Sequence, residues 1–173
     1  MNLGTRSNAN VKGGGVQVYL GDAQTLSAQS AFGATMTTAA FATLLADFDN
    51  VGQTADKPSA RSEPNTYDKV DSNGNKGKSQ LSSNIKAEIV LHETDNDIIN
   101  ALMALAEAGT HIDILLVKGQ AANDYVTYYR DVPFSIKTTG ANSFEEPDTA
   151  AIMVDVTVKN VYDVHGQLKL TAA

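Results

Sequence analysis

The sequence predicts a mainly β chain: an antiparallel β-sandwich or barrel with one packed α-helix at about residues 95–108 and a long polar loop at about 49–80. Three observations predict it. Residues 82–118 read as strand, helix, strand; the last third alternates apolar and polar residues; and between 49 and 80 the apolar residues almost vanish.

The central stretch is the most explicit. Ile85, Ala87, Ile89 and Leu91 alternate with Lys86, Glu88 and His92, the period of a half-buried strand. Thr94 is a suitable helix N-cap with Asp97 three residues on, and Ile98, Ile99, Leu102, Met103, Leu105 and Ala106 follow at helical spacing. Gly109 supplies a stop. The run from Ile112 through Asp113 and Leu115 to Val117 is too short for a second helix and reads as a buried strand.

Before this stretch, residues 1–15 are rich in Asn, Ser and Gly and read as a flexible N-terminal arm. Val16, Val18 and Leu20 then alternate with Gln17 and Tyr19 in a short strand. Residues 38–48 fit both a helical stripe (Phe41, Leu44, Leu45, Phe48) and an alternating strand (Ala42, Leu44, Ala46, Phe48). Both readings stay open. From 49 to 80, Pro58, Pro64, Gly52, Gly74 and Gly77 interrupt any regular element, and a polar excursion of that length inside a domain points to binding.

Beyond the helix, Tyr125 to Tyr129 concentrate aromatic and β-branched residues, and Pro133 suggests an edge or bulge, with Phe134 to Thr139 as a continuation. Residues 150–164 read as the longest strand. There Ile152, Val154, Val156 and Val158 oppose Met153, Asp155, Thr157 and Lys159, and a slip of phase near Asn160 suggests a bulge.

Composition narrows function. The 173 residues are expected to form one domain, and 42% apolar content suffices for a core. Without cysteine, no disulfide or thiolate metal site is available. No apolar h-region opens the chain and no apolar run is long enough to span a bilayer. A net charge of −7 opposes tight phosphate-backbone binding.

Motifs for chemistry are absent or broken. Gly77, Lys78 and Ser79 imitate the end of a phosphate loop, but Ser72 stands where its first glycine belongs. Asp71, Asn73 and Asn75 imitate a calcium loop, but Lys76 and Ser82 replace its glycine and its bidentate Glu. His92, His111 and His165 lack partners at metal-ligand spacing, and Glu145 and Glu146 fit a solvated turn. No catalytic residue, cofactor or metal ligand is therefore assigned, and an enzyme is not expected.

The layout resembles the major tail tube proteins of long-tailed bacteriophages: a short N-terminal strand, the segment Phe48, Asp49, Asn50, Val51 and Gly52, a polar excursion, the strand through Ile85, one helix and three closing strands. The resemblance spans residues 16–164 and is one of arrangement. It implies a β-sandwich subunit forming hexameric rings stacked into a hollow tube, a conduit for DNA, with the helix outside, the long loop and terminal arms bridging rings, and an acidic inner wall. The partners implied are the chain itself, DNA in transit, and other tail proteins such as tape measure and terminator proteins; the location implied is the virion tail, after synthesis in the host cytoplasm.

On that reading Glu88, Asp155, Lys86 and Lys159 are candidate lumen-facing residues. Asp56, Lys57, Arg61, Glu63, Tyr67, Asp68, Lys69, Asp71, Lys76 and Lys78 are candidates for the inter-ring loop. The rival readings are a tube subunit of a contractile injection or secretion system, and a non-assembling ligand-binding β-sandwich. For the latter, Tyr125 and Tyr129 share a strand face while Tyr128 lies opposite, so the three cannot form one platform.

Overall fold

Both faces of the strand Ile112–Val117 are buried, and two cores meet across it. Ile112, Ile114 and Leu116 enter one; Leu115 and Val117 enter the other. A run of consecutive apolar residues is what such a doubly covered strand requires.

The computed structural model describes residues 1, 3, 15–28, 34–54, 59–92, 96–139 and 149–172. Its elements in order are β1 (Gln17–Asp22), α1 (Thr25–Ala28), β2 (Thr35–Thr37), α2 (Thr38–Leu45), β3 (Asp49–Thr54), β4 (Ser59–Val70), β5 (Lys76–His92), α3 (Asn96–Glu107), β6 (Ile112–Val117), β7 (Tyr125–Val132), β8 (Ser135–Thr139), β9 (Thr149–Val158), a 3-10 turn (Val161–Asp163) and β10 (His165–Thr171). All ten strands join one sheet in the order β2-β10-β7-β6-β1-β3-β5-β9-β8, with β4 alongside β5. Pairing is antiparallel except between β10 and β2. The fold is mainly β with a packed helix, as expected, and the sheet does not close into a barrel.

The sheet wraps over a first core. Val18 and Leu20 of β1, Ile85, Ile89 and Leu91 of β5, Ile114 and Leu116 of β6, Tyr129 of β7 and Ile152 and Val154 of β9 share it, with Ile98 and Leu102 of α3. The alternation of β5 and of β9 up to Val158 holds. α3 ends as Gly109 suggests: at φ 68° its N–H donates to the Ala106 carbonyl at 3.0 Å and that of Thr110 to Leu105 at 3.0 Å, the paired closure of a Schellman cap. Thr94 and Asp95 lie outside the described residues.

On the far face of β6 and β7 a second core forms under α2. Phe41 and Leu44 pack there with Leu26, Met36, Tyr128, Leu168 and Leu170. This settles residues 38–48: Thr37 caps a helix by accepting from the Ala40 N–H at 3.2 Å, and Phe41 and Leu44 use the helical period.

Four expectations are corrected. The long polar loop at 49–80 is instead strand β3 followed by the β4–β5 hairpin. It reads as loop because its outer part buries nothing on either face, and so carries no apolar period. Pro64 is tolerated because β4, among the described residues, is paired along one edge only. The strand expected over 150–164 ends at Val158, and the slip near Asn160 is no bulge: its side chain accepts from the Tyr162 N–H at 3.2 Å and caps the 3-10 turn. Phe134 to Thr139 do not continue β7; the chain leaves at Pro133 and β8 pairs with β9. Within the N-terminal arm, Leu3 is buried in the first core and the Met1 ammonium meets Asp22 Oδ2 at 3.0 Å. Residue 2 and residues 4–14 lie outside the described residues.

Candidate functional site: an open-edged, charged sheet face

At one end of the sheet, β4, β5, β9 and β8 run side by side, each antiparallel to the next. The residues of β5 that face the first core are Ile85, Ala87, Ile89 and Leu91, so Asn84, Lys86, Glu88 and Val90 face away. Register carries this outer face across the strands. Arg61 and Asp155 flank Lys86, while Ser59 and Met153 flank Glu88 and Ser135 follows beyond.

Charges on this face are paired across strands. Lys86 Nζ lies 3.8 Å from Asp155 Oδ2, Lys137 Nζ lies 3.7 Å from Glu88 Oε1, and along β4 Arg61 Nε lies 3.2 Å from Glu63 Oε1. Below them, Asn65 Nδ2 donates to Ser82 Oγ at 3.0 Å and to Asn84 Oδ1 at 3.0 Å, and Thr157 Oγ1 donates to Asn84 Oδ1 at 2.7 Å. The polar side chains thus form a cross-strand lattice rather than separate hydrated groups.

Two features make this end of the sheet incomplete. Among the described residues β4 pairs only with β5 and β8 only with β9, so both edges offer unsatisfied strand edges. β8 pairs with β9 from Thr149 to Met153, and the rest of β9 has no partner on that side among the described residues. Second, β9 reaches no further along β5 than Ser83, so the hairpin beyond Asn65 and Ser82 stands out as a two-stranded arm.

The arm is kinked by a register shift after Asn65, which places Leu81 in a bulge. Its tip is locked by Asp71: Oδ1 accepts from the N–H of Asn73 and of Asn75, each at 2.8 Å, and Oδ2 from Asn75 Nδ2 at 2.9 Å. These bonds, led by the Asn75 side chain, hold the Asp71 carboxyl below its usual range. Gly74, at φ 83°, supplies the left-handed step of the turn. Tyr67, Val70 and Leu81 are 50%, 59% and 69% exposed, an apolar load that an isolated ribbon has no reason to carry in water.

The structure gathers part of the expected site. Glu88, Asp155 and Lys86 share one face, while Lys159 lies in the bend after β9 and is exposed. Of the expected loop residues, Arg61 and Glu63 belong to β4 beside that face; Tyr67, Asp68, Lys69, Lys76 and Lys78 lie on the arm, with Asp71 at its turn. Asp56 and Lys57 lie outside the described residues. Sequence reasoning missed Lys137, whose signal was only the short alternation around Ile136. The charges of this face balance. Three cations answer three carboxylates, so the excess of −7 resides elsewhere in the chain.

Four other ionisable groups, Asp113, His165, Tyr129 and His111, make contacts within the fold. Asp113 is wholly buried in β6; Oδ2 accepts from the Leu26 N–H at 2.7 Å and Oδ1 from the Asp131 N–H at 2.6 Å. Burial pushes its carboxyl up, against the pull of backbone donors at Leu26, Asp131 and Gln24. Gln24 and Asp131 have φ of 69° and 48°, so this carboxylate clasps a turn at Gln24 and the irregular step of β7 at Asp131, both left-handed positions that ordinary residues rarely adopt. His165 stacks on Tyr129 with centroids 4.3 Å apart; burial lowers the pKa of His165 and pushes Tyr129 up to about 12. His111 Nδ1 meets Asp131 Oδ1 at 3.0 Å. Tyr128 and Tyr129 enter opposite cores, which removes the tyrosine platform of a ligand-binding sandwich. Among the described residues no group of three His, Asp or Glu could hold a metal ion, and no helix is long and apolar enough to cross a membrane.

No family model and no curated protein matches the chain. Among solved structures, it is similar at 12% identity and a TM-score of 0.40, over 66% of its own length and 87% of the other chain, to a protein in the structure "Tail of empty GTA particle computed with helical refinement, C6 symmetry". A likeness of this degree carries no functional weight by itself.

Proposed function

We propose that the chain is a structural subunit that assembles with itself into hexameric rings, stacked to form the hollow tube of a phage tail through which DNA passes. The observation that carries this reading is the four-stranded end of the sheet, unpaired at both edges among the described residues. Because its strands alternate in direction, β4 and β8 run oppositely, so β8 of one copy meets β4 of the next as an antiparallel pair. Such a contact is heterologous. It repeats until the ring closes.

Six copies would bring ~24 strands into one barrel. At a strand spacing of ~4.8 Å and a tilt of ~40°, that barrel has a backbone diameter of roughly 48 Å, a bore wider than a DNA duplex. The first core lies outside this wall, and the paired face with Glu88, Asp155, Lys86 and Lys137 lines it. The hairpin arm, with Tyr67, Val70 and Leu81 exposed, then reaches a neighbouring ring. Other tail proteins, such as tape measure and terminator proteins, meet the bore and the ends of the stack. Nothing in the assembly calls for catalysis.

Electron microscopy of the purified chain tests this. Six-fold rings and tubes are expected, and a variant with residues 66–80 replaced by a two-residue Asn-Gly turn is expected to keep the fold but lose stacked tubes. A monomer at every concentration would overturn the proposal.

A further inference from the structure

We infer that the outer face of the four-stranded end is a self-neutralised surface, whose carboxylates occupy its cations so that a nucleic-acid duplex can lie against it without adhering. This rests on the tube reading for its setting, but the property belongs to the face of each single chain. Arg61, Lys86 and Lys137 are the cations where the strands overlap, and Glu63, Asp155 and Glu88 stand 3.2, 3.8 and 3.7 Å from them.

Phosphate binding draws its strength from cations that are free to displace condensed counterions. A lysine already held by a neighbouring carboxylate must surrender that pair first. A face of zero net charge also projects little field beyond the Debye length of ~8–10 Å, so it neither attracts a duplex from a distance nor expels it. Two of the three pairs cross strands: Lys86 to Asp155 on the adjacent β5 and β9, and Lys137 of β8 to Glu88 of β5 over the intervening β9. The pairing is therefore set by register, and it persists wherever the sheet persists. An acidic wall would differ in kind: it would repel the backbone and depend steeply on salt.

The test uses the full-length chain and a short fluorescent DNA duplex, followed by anisotropy at low and at moderate ionic strength. Wild type is expected to show no binding at either. The Glu88→Gln, Asp155→Asn double variant frees Lys86 and Lys137 and is expected to bind at least roughly tenfold more tightly at low salt, with the gain lost as salt rises. Adding Lys86→Met and Lys137→Met to that variant is expected to abolish the gain. Binding by the wild type, or no gain in the double variant, would overturn the inference. Should the double variant fold poorly, Asp155→Asn alone, at a side chain 70% exposed, is read by the same criterion. Micrographs of the same samples score ring formation separately, so failure of the tube reading is distinguishable from failure of this one.

Discussion

β6 and β4 are strands of one sheet with opposite circumstances. Every residue of β6 is buried and both its edges are paired, to β1 and to β7. β4 is paired along one edge and its residues from Arg61 onward are exposed or half-exposed. The first is paired on both sides within its own chain; the second, among the described residues, is paired on one side alone. That difference separates what stabilises the fold from what the proposed assembly would use.

Substitutions at the two strands sharpen the contrast. Leu116→Ala opens a cavity between β6 and the first core and is expected to cost about 2–5 kcal/mol by denaturant unfolding. Thr66→Ala on the arm is expected to stay within about 0.5 kcal/mol. Equal effects would erase the distinction. Comparable in size is Asp113→Ala, which strips the acceptor from the backbone N–H groups of Leu26, Asp131 and Gln24, at roughly 1–3 kcal/mol for each donor left unsatisfied.

A smaller effect concerns pH. Burial lowers the pKa of His165 below its unfolded value of 6.5, so the neutral ring is favoured in the folded chain. Its contribution is fully present above pH ~6.5 and is lost as pH falls through the lowered value. His165→Phe keeps a ring against Tyr129 and is expected to flatten that part of the stability profile, measured by thermal unfolding across the acid range. The smallest effect is at the charged face. Asp155→Asn breaks an exposed pair and is expected to change stability by less than about 0.5 kcal/mol, which makes it a clean probe of surface charge.

What was legible in the sequence follows the same divide. β5, β9 and α3 bury one face each, and that asymmetry writes a period into the residues: Ile85 to Leu91, Ile152 to Val158, Ile98 to Leu105. The arm of the hairpin buries neither face, so Thr66, Asp68, Lys76 and Lys78 carry no period and read as loop. Lys137 escaped because its short strand has only Ile136 to mark an inner face. Asp113 was visible as a charge inside an apolar run, but its partners are the backbone of Leu26 and Asp131, and no sequence pattern records those. Phe41 and Leu44 fitted two periods until the second core selected one.

In the proposed tube the edges of β4 and β8 that are unpaired among the described residues close against other copies of the chain. Hydrogen exchange on assembled and unassembled protein reads those edges directly. The backbone amides of Ser59–Val70 and Ser135–Thr139 are expected to gain protection on assembly, while those of Ile112–Val117, slow already, do not change. If assembly protects α3 or β2 and leaves β4 and β8 exchanging as before, the copies join elsewhere and the claim is wrong.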